Sequence, residues 1–152
     1  IPGSWSPVTQ EQIRWASANG LAAIVLNAAA LGAGADPASF VAPIVGPLRA
    51  RRHVIAHTMG ARHETGKAIP SATLGNALGQ ISRAALAGTG VQRLVIAGGD
   101  SSSYAARALG IEAVEMIAPL APGAPLCRAF ALGSPVDGRE GNCKGGQGGA
   151  PE

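Results

Sequence analysis

Short apolar runs alternate with helix-like patterns along the chain, an order typical of a layered α/β domain. The runs at Leu21–Leu26, His53–His57 and Arg93–Ala97 have the length and apolar character of buried strands. Helical patterns that end near a glycine predict helices over Gln10–Asn19 and Ser71–Leu86. Three further elements complete the order: a helix over Ser102–Leu109, a strand over Glu112–Ile117, and a strand over Leu126–Leu132 that we place antiparallel at the sheet edge. We therefore predict a three-layer α/β fold with a mostly parallel, Rossmann-like sheet, helices on both faces and an irregular Gly/Pro-rich C-terminal part.

Proline and glycine modify this pattern in two places. Asp36-Pro37 has the form of an N-cap followed by proline at the first helical position, and it opens a segment that reaches about Leu48. We expect Pro43 and Pro47 to weaken or break that segment. The tail from Gly138 to Glu152 is rich in glycine, which favours a linker, although glycines beside one lysine also suit a phosphate clamp lined by backbone amides.

Length and composition predict one domain. A chain of 152 residues that is 47% hydrophobic can bury a core and is too short for two full domains. Its 22 glycines and low aromatic content of 3% favour close packing of helices on a sheet. The net charge is only +3, and no aromatic stacking platform accompanies the tightest basic run, Arg49, Arg51 and Arg52. We interpret that run as a solvated helix end rather than a nucleic-acid site.

Cysteine usage and hydropathy predict a cytoplasmic protein. Cys127 and Cys143 form no Cys-x-x-Cys pair, so the sequence gives no sign of a metal knuckle or a disulfide framework. No apolar run approaches the roughly 20 residues of a membrane span. The sequence opens at Ile1 with neither an initiator Met nor a signal peptide, from which we expect 1–152 to be one domain of a longer protein.

The most informative motif is the loop Gly98–Ser103, which follows the predicted strand Arg93–Ala97 and leads into a predicted helix. A glycine pair permits a tight turn and a close approach of backbone N–H groups to a ligand. Serine hydroxyls and the positive end of a helix add donors suited to a phosphate. The loop is therefore our first candidate for a nucleotide site.

Four other motifs do not meet the requirements of the sites they suggest. Gly60–Ala68 has one residue too many between its glycines for a P-loop and ends in alanine where a hydroxyl is required. Leu31–Pro37 has proline in place of the third glycine of a dinucleotide fingerprint. His53 and His57 in one strand would be about 13 Å apart, too far to share a zinc ion. The Gly-Asp-Ser-Ser sequence is not the nucleophile elbow of a serine hydrolase.

Four segments occur in the order seen in a known family. They are Gly3–Thr9 followed by Gln12, Ala97–Ser102, Pro119–Leu126 and Lys144–Gln147. Together they resemble the nucleotide-binding C-terminal domain of the four-carbon acid sugar kinases, which include the 3-oxo-tetronate kinases. His57–Gly60 also resembles the His-Thr loop of that family. The resemblance spans nearly the whole chain and implies ATP-dependent phosphorylation of a small sugar acid, with the sugar acid held mainly by an N-terminal domain expected outside this sequence.

The resemblance also implies a site for ATP and Mg²⁺. Its residues would be Ser4, Ser6, Gly98, Gly99, Asp100, Ser101, Ser102, Lys144, Gly145 and Gly146. Hydroxyls and backbone amides would hold phosphate, and Lys144 would neutralise phosphate charge. Asp100 would hold Mg²⁺ through water, or it caps the following helix; the sequence leaves both roles open. No catalytic base is assigned within the chain.

The sequence departs from the family pattern mainly in the tail. Gly141, Cys143 and Gly148 stand where larger apolar residues are usual, which predicts a weakened C-terminal strand or a disordered clamp. Trp5 replaces a cysteine, and Ser101 replaces a threonine while keeping the hydroxyl. Two alternatives to the kinase therefore stay open. They are a non-catalytic interaction domain that has lost nucleotide binding, and another Rossmann-like enzyme that binds a phosphorylated ligand; a homo-oligomer is possible in each case.

Overall fold

Helices and strands follow one another closely in the computed structural model, which describes residues 7–58 and 69–144. The first range contains α1 (Pro7–Ala18), β1 (Ala22–Val25), α2 (Ala28–Gly32), a 3₁₀ turn (Pro37–Phe40), α3 (Ala42–Arg49) and β2 (Val54–His57). The second contains α4 (Ser71–Ala87), β3 (Arg93–Ala97), α5 (Asp100–Ala108), β4 (Ala113–Ala121), β5 (Ala124–Phe130) and β6 (Glu140–Lys144). The mixed α/β class predicted from the sequence is confirmed. No helix within these ranges has both the length and the apolar character needed to span a bilayer.

The described strands form two small sheets. β1 pairs with β2 in parallel, and a four-stranded sheet has the order β3-β6-β5-β4. Within the larger sheet only the β3–β6 pair is parallel, because β5 runs antiparallel to both β6 and β4. The prediction of one mostly parallel sheet therefore does not describe these residues. β5 is also an interior strand rather than an edge strand, since the tail supplies β6 between β5 and β3.

The tail strand β6 differs from the linker that glycine content favours over residues 138–152, and it agrees with the C-terminal strand that the family resemblance implies. Residues 140–144 pair with β3 along their whole length, and Glu140 and Gly141 also pair with β5, so Gly141 lies between two ladders that compensate for the poor strand propensity of glycine. Gly141 lies close to the neighbouring strand, since a Cβ built on it would be 3.3 Å from the Leu94 carbonyl oxygen. The Asn142 side chain is buried and donates to the Pro125 carbonyl at 2.6 Å. Glycine content alone misses both contacts.

Two apolar clusters stabilise the domain, and α4 contributes to both. The first contains Leu26 and Leu31 with Ile81 of α4, and packs around the β1–β2 pair. The second contains Leu109 with Leu86 of α4, and the β3 side chains Leu94 and Ile96 pack against it. Helices α4 and α5 therefore cover the face of the larger sheet that carries Leu94 and Ile96. On the opposite face Val95 is 56% exposed, so the predicted helix layer on both faces is not seen at this strand.

Helices α4 and α5 cross at very short range because α4 carries glycines four residues apart. A Cβ on Gly75 would overlap the Ser101 carbonyl oxygen and lie 2.6 Å from the Tyr104 Cβ. A Cβ on Gly79 would lie 2.5 Å from the Ala108 Cβ. The backbones can approach this closely only without side chains at the two positions. The N-terminal half of α4 thus fixes where α5 begins.

The predicted cap at Asp36 is confirmed, although the element it opens is a short 3₁₀ turn. Its Oδ1 accepts a hydrogen bond from the Ala38 amide at 2.9 Å, and Pro37 occupies the first helical position. Pro43 then lies in the first turn of α3, where proline is tolerated, and Pro47 lies inside that eight-residue helix. The prolines therefore divide the segment instead of preventing helix formation.

We expect Asp36→Ala to lower the free energy of unfolding by about 1 kcal/mol, because the Ala38 amide loses its acceptor. Asp36→Asn keeps an acceptor oxygen and is the matched control. Chemical denaturation of the two variants measures the difference. Equal losses for both would show that the cap is not what the aspartate contributes.

Candidate functional site

The glycine loop lies where β3 ends and α5 begins. Gly98 and Gly99 follow Ala97 directly, and α5 starts at Asp100, two residues earlier than predicted. Gly99 is the N-cap, and it has no side chain to accept a hydrogen bond from the first amides of the helix. The first amides of a helix carry partial positive charge and need acceptors. The nine-residue α5 therefore presents an end suited to an anionic ligand.

Three polar side chains of the loop, those of Asp100, Ser101 and Ser102, have different environments. The Ser102 hydroxyl donates to the Gly99 carbonyl at 2.6 Å, so its proton stabilises the loop. The Ser101 hydroxyl lies over Gly98, since a Cβ on Gly98 would be 3.0 Å from the Ser101 Oγ. Asp100 is exposed in the first turn of α5. Ser101 is thus better placed than Ser102 to give a hydroxyl proton to a ligand.

Strand β6 brings a distant part of the chain to the same edge. In the parallel β3–β6 pair, Ala97 is in register with Lys144. Because parallel strands end at the same edge of a sheet, the chain leaves β6 beside the point where Gly98 leaves β3. The candidate site residues Gly98 and Lys144 therefore lie at adjacent strand ends. Ser4, Ser6, Gly145 and Gly146 lie outside the described residues.

The candidate site rests on α4. Gly75 contacts the backbone of Ser101, and Tyr104 one turn further along α5 packs against the same glycine. The Arg107 guanidinium lies 5.9 Å from the centre of the Tyr104 ring, which adds a cation–π contact on α5. Gly75 was not predicted from the sequence as a site-positioning residue. The sequence feature that could have indicated this role is the pair of glycines four residues apart in α4, opposite small residues of α5.

A cavity of about 180 Å³ lies on the helix-covered side of the larger sheet. Its lining includes Leu94, Ile96, Ala129 and Gly141, and none of residues 98–102 lines it. An apolar lining without charged side chains does not suit a triphosphate. The candidate nucleotide site is therefore the strand-end loop and not this cavity.

Metal ligands are sparse in the part of the chain that the structure describes. Those residues contain no group of three or more His, Cys, Asp or Glu side chains that converge. A magnesium ion that binds together with a nucleotide needs few protein ligands, because phosphate oxygens and water fill most of its coordination sphere. The exposed carboxylate of Asp100, at the start of α5, fits this limited requirement.

Comparison with known proteins gives one family for the whole chain. Residues 1–152 match the family described as "Nucleotide-binding C-terminal domain". The chain is also 34% identical to 3-oxo-isoapionate kinase of Paraburkholderia graminis over 170 aligned positions. That alignment covers 97% of this chain and 35% of the kinase. The chain thus spans about a third of the length of this relative.

Solved structures share the fold. A protein from Bordetella bronchiseptica, described as a domain of unknown function with bound citrate and as a domain-swapped dimer, matches with a TM-score of 0.74. The match has 17% identity and covers 97% of this chain and 36% of that one. A Haemophilus influenzae protein matches with a TM-score of 0.71 and 19% identity, over 99% of this chain and 37% of that one. At these identities the likeness supports the fold alone.

Proposed function

The chain belongs to the family of nucleotide-binding C-terminal domains and resembles the four-carbon acid sugar kinases, and on this basis we propose that it binds ATP for a kinase that phosphorylates a four-carbon sugar acid. The observation that carries the proposal is the register of β3 with β6. It brings Lys144 beside the strand end that leads into Gly98 and Gly99. A cation, a glycine turn and a helix start at one sheet edge are what a polyphosphate requires.

Each residue has a distinct role in this proposal. Gly98 and Gly99 expose backbone amides to the phosphates, and Ser101 donates its hydroxyl to a phosphate oxygen. Ser102 maintains the loop through the Gly99 carbonyl. Lys144 supplies positive charge. Ser4, Ser6, Gly145 and Gly146 are proposed to complete the site from the two adjoining segments.

In the proposed reaction a hydroxyl of the sugar acid attacks the γ-phosphorus of ATP in line, and the bond to the β–γ bridging oxygen breaks to release ADP. Mg²⁺ would neutralise charge on the phosphates when bound with ATP. The residues of this chain orient the nucleotide and stabilise charge. We assign the sugar-acid contacts and the base that takes the hydroxyl proton to a second domain of a longer kinase, in line with relatives about three times as long.

We expect Mg-ATP to stabilise the 152-residue chain against heat. A ligand at 100 times its dissociation constant adds about 2.7 kcal/mol to the free energy of unfolding. Differential scanning fluorimetry with Mg-ATP, NAD and a sugar phosphate measures the effect and its specificity. A shift with NAD or the sugar phosphate alone would favour another Rossmann-like enzyme, and no shift at millimolar Mg-ATP would favour an interaction domain.

Gly99 and not Asp100 is the N-cap of α5, so the alternative to magnesium binding is an effect of the Asp100 charge on the first turn of the helix. The two roles predict opposite effects of Asp100→Asn on the dissociation constant of Mg-ATP. If the carboxylate holds Mg²⁺ through water, the variant binds Mg-ATP more weakly and metal-free ATP more tightly, since it removes a charge that repels the phosphates. If Asp100 acts only on the helix end, the variant binds both forms more tightly. Isothermal titration with and without EDTA separates the cases. We expect the first result.

A further inference from the structure

A row of alternating charges crosses the four-stranded sheet on the face away from α4 and α5. In strand order β3-β6-β5-β4 it consists of Arg93, Glu140, Arg128 and Glu115, each in register with the next. Arg93 Nε donates to Glu140 at 2.9 Å, and Arg128 lies 3.8 Å from Glu115. All four side chains stay largely exposed, from 40% to 61%. We call these residues the charged row.

Apolar side chains flank the charged row on the same face. Val95 lies two residues beyond Arg93 on β3 and is 56% exposed, and Phe130 lies two residues beyond Arg128 on β5 and is 46% exposed. A face that only meets water would carry polar residues at such alternate positions. Two large exposed apolar side chains on one sheet face, on either side of the charges, offer apolar area that a partner can cover.

The order of the charges makes the row complementary to itself. A two-fold axis parallel to the strands, passing between the two middle strands, places β3 over the partner's β4 and β6 over the partner's β5. Arg93 then faces the partner's Glu115, and Glu140 faces the partner's Arg128. An axis across the strands would instead place β3 over the partner's β3 and bring like charges together at all four positions. The charged row therefore selects one partner orientation.

We propose that this sheet face is a docking surface for a second copy of the chain, with the two sheets stacked face to face about a two-fold axis parallel to the strands. Phe130 is on β5, next to the axis, and is the last residue of that strand, so it meets the partner's Phe130 at the end of the interface where β3 and β6 begin. Stacked sheets lie about 10 Å apart, a distance that arginine and glutamate side chains can bridge. The charges set the orientation, and the burial of Val95 and Phe130 on either side of them contributes to the affinity.

The test uses variants that keep ion pairs within a monomer while changing the pairs between monomers. The half-swap, Arg93→Glu with Glu140→Arg, retains a pair between β3 and β6 and yields the row −++−. That row faces its own copy with like charges at every position. The full reversal adds Arg128→Glu and Glu115→Arg, yields −+−+, and is again complementary to itself.

Sedimentation velocity of the 152-residue chain should show a reversible dimer for the wild type and for the full reversal. We expect the dissociation constant of the half-swap to rise by about 100-fold, since like charges across an interface are strongly unfavourable. Higher salt should weaken the wild-type dimer because it screens exposed charges. Circular dichroism checks that every variant is folded.

A mixing experiment decides the matter even if the half-swap does not fold. Wild type and full reversal should each form dimers with themselves but not with each other, since the mixed pair brings like charges together. Native mass spectrometry of a mixture in which one form is isotope-labelled measures directly whether mixed dimers are present. A monomeric wild type near millimolar concentration, free mixing of the two forms, or a folded half-swap that dimerises as well as the wild type would each overturn the proposal.

Discussion

Gly75→Ala is expected to lower the free energy of unfolding by about 1–3 kcal/mol and to weaken nucleotide binding at the same time. The added methyl group would overlap the Ser101 carbonyl oxygen, a backbone atom that cannot move alone. Helix α5 must therefore shift away from α4. Because Ser101 belongs to the proposed phosphate loop, the shift would displace the loop from the end of β6.

A glycine elsewhere gives a matched control of opposite sign. Gly90 is exposed in the segment before β3, and a Cβ added to it would meet no atom within 4 Å apart from its chain neighbours. Gly90→Ala should stabilise the chain by about 0.4–1 kcal/mol, since alanine has fewer conformations to lose from the unfolded chain. Nucleotide affinity should not change, because the new methyl group would contact no residue of the loop.

Chemical denaturation and isothermal titration with Mg-ATP, both at a temperature where the variants are folded, measure the two effects. We expect the dissociation constant of Gly75→Ala to rise by about tenfold, the loss of one hydrogen bond to a charged group. Unchanged affinity with reduced stability would mean that the helix crossing supports the fold but not the site. Unchanged stability would mean that α4 and α5 can separate without loss.

Local sequence patterns predicted the elements of the fold correctly where the interactions that stabilise them are close in sequence. Strand β3 has the predicted bounds Arg93–Ala97, and α4 differs from its prediction by one residue at its end. The cap at Asp36 depends on a contact two residues away. The glycine loop falls between a strand and a helix, as predicted, because glycine, aspartate and serine all favour such a turn.

Pairing between residues that are far apart in sequence explains the features of the fold that composition and local patterns did not reveal. β6 depends on hydrogen bonds to β3 and β5, and its Glu140 pairs with Arg93 from a distant part of the chain. The residues on either side of Gly141 in the sequence give no sign of these contacts. The tight crossing at Gly75 likewise depends on residues about 26 positions later in the sequence, since its nearest atoms belong to Ser101. Residues 140–144 form a strand because of their position in the sheet, and not because of their composition.

For the candidate site, the family resemblance and the fold contribute different information. The resemblance links Gly98 and Lys144 to one nucleotide, and the strand register brings the two chain segments to one sheet edge. The roles of the ten residues stay predictions, and four of these residues lie outside the described ranges. The structure adds a distinction that the sequence could not make, because Ser101 and Ser102 differ only in where their hydroxyls lie.

Leucine truncation in either apolar cluster should produce the largest losses of stability in the chain. Leu109 is fully buried in the cluster beneath the larger sheet, and Leu26 is 1% exposed in the cluster beside β1 and β2. Replacement by alanine removes apolar contacts and leaves a cavity, which costs about 2–5 kcal/mol. Leu132→Ala is the control, because Leu132 is 90% exposed and its loss should cost less than about 0.5 kcal/mol.

The two truncations also test whether the clusters unfold together. Helix α4 gives Ile81 to one cluster and Leu86 to the other, and its glycines seat α5, so loss of either cluster removes support from the same helix. We therefore expect Leu26→Ala and Leu109→Ala each to lower one cooperative transition, seen at the same temperature by circular dichroism and calorimetry. Separate transitions in either variant would show that the two sheets are stabilised independently. In that case a substitution near β1 would leave the nucleotide loop folded. In a cooperative domain, by contrast, the loss of either cluster also unfolds the loop.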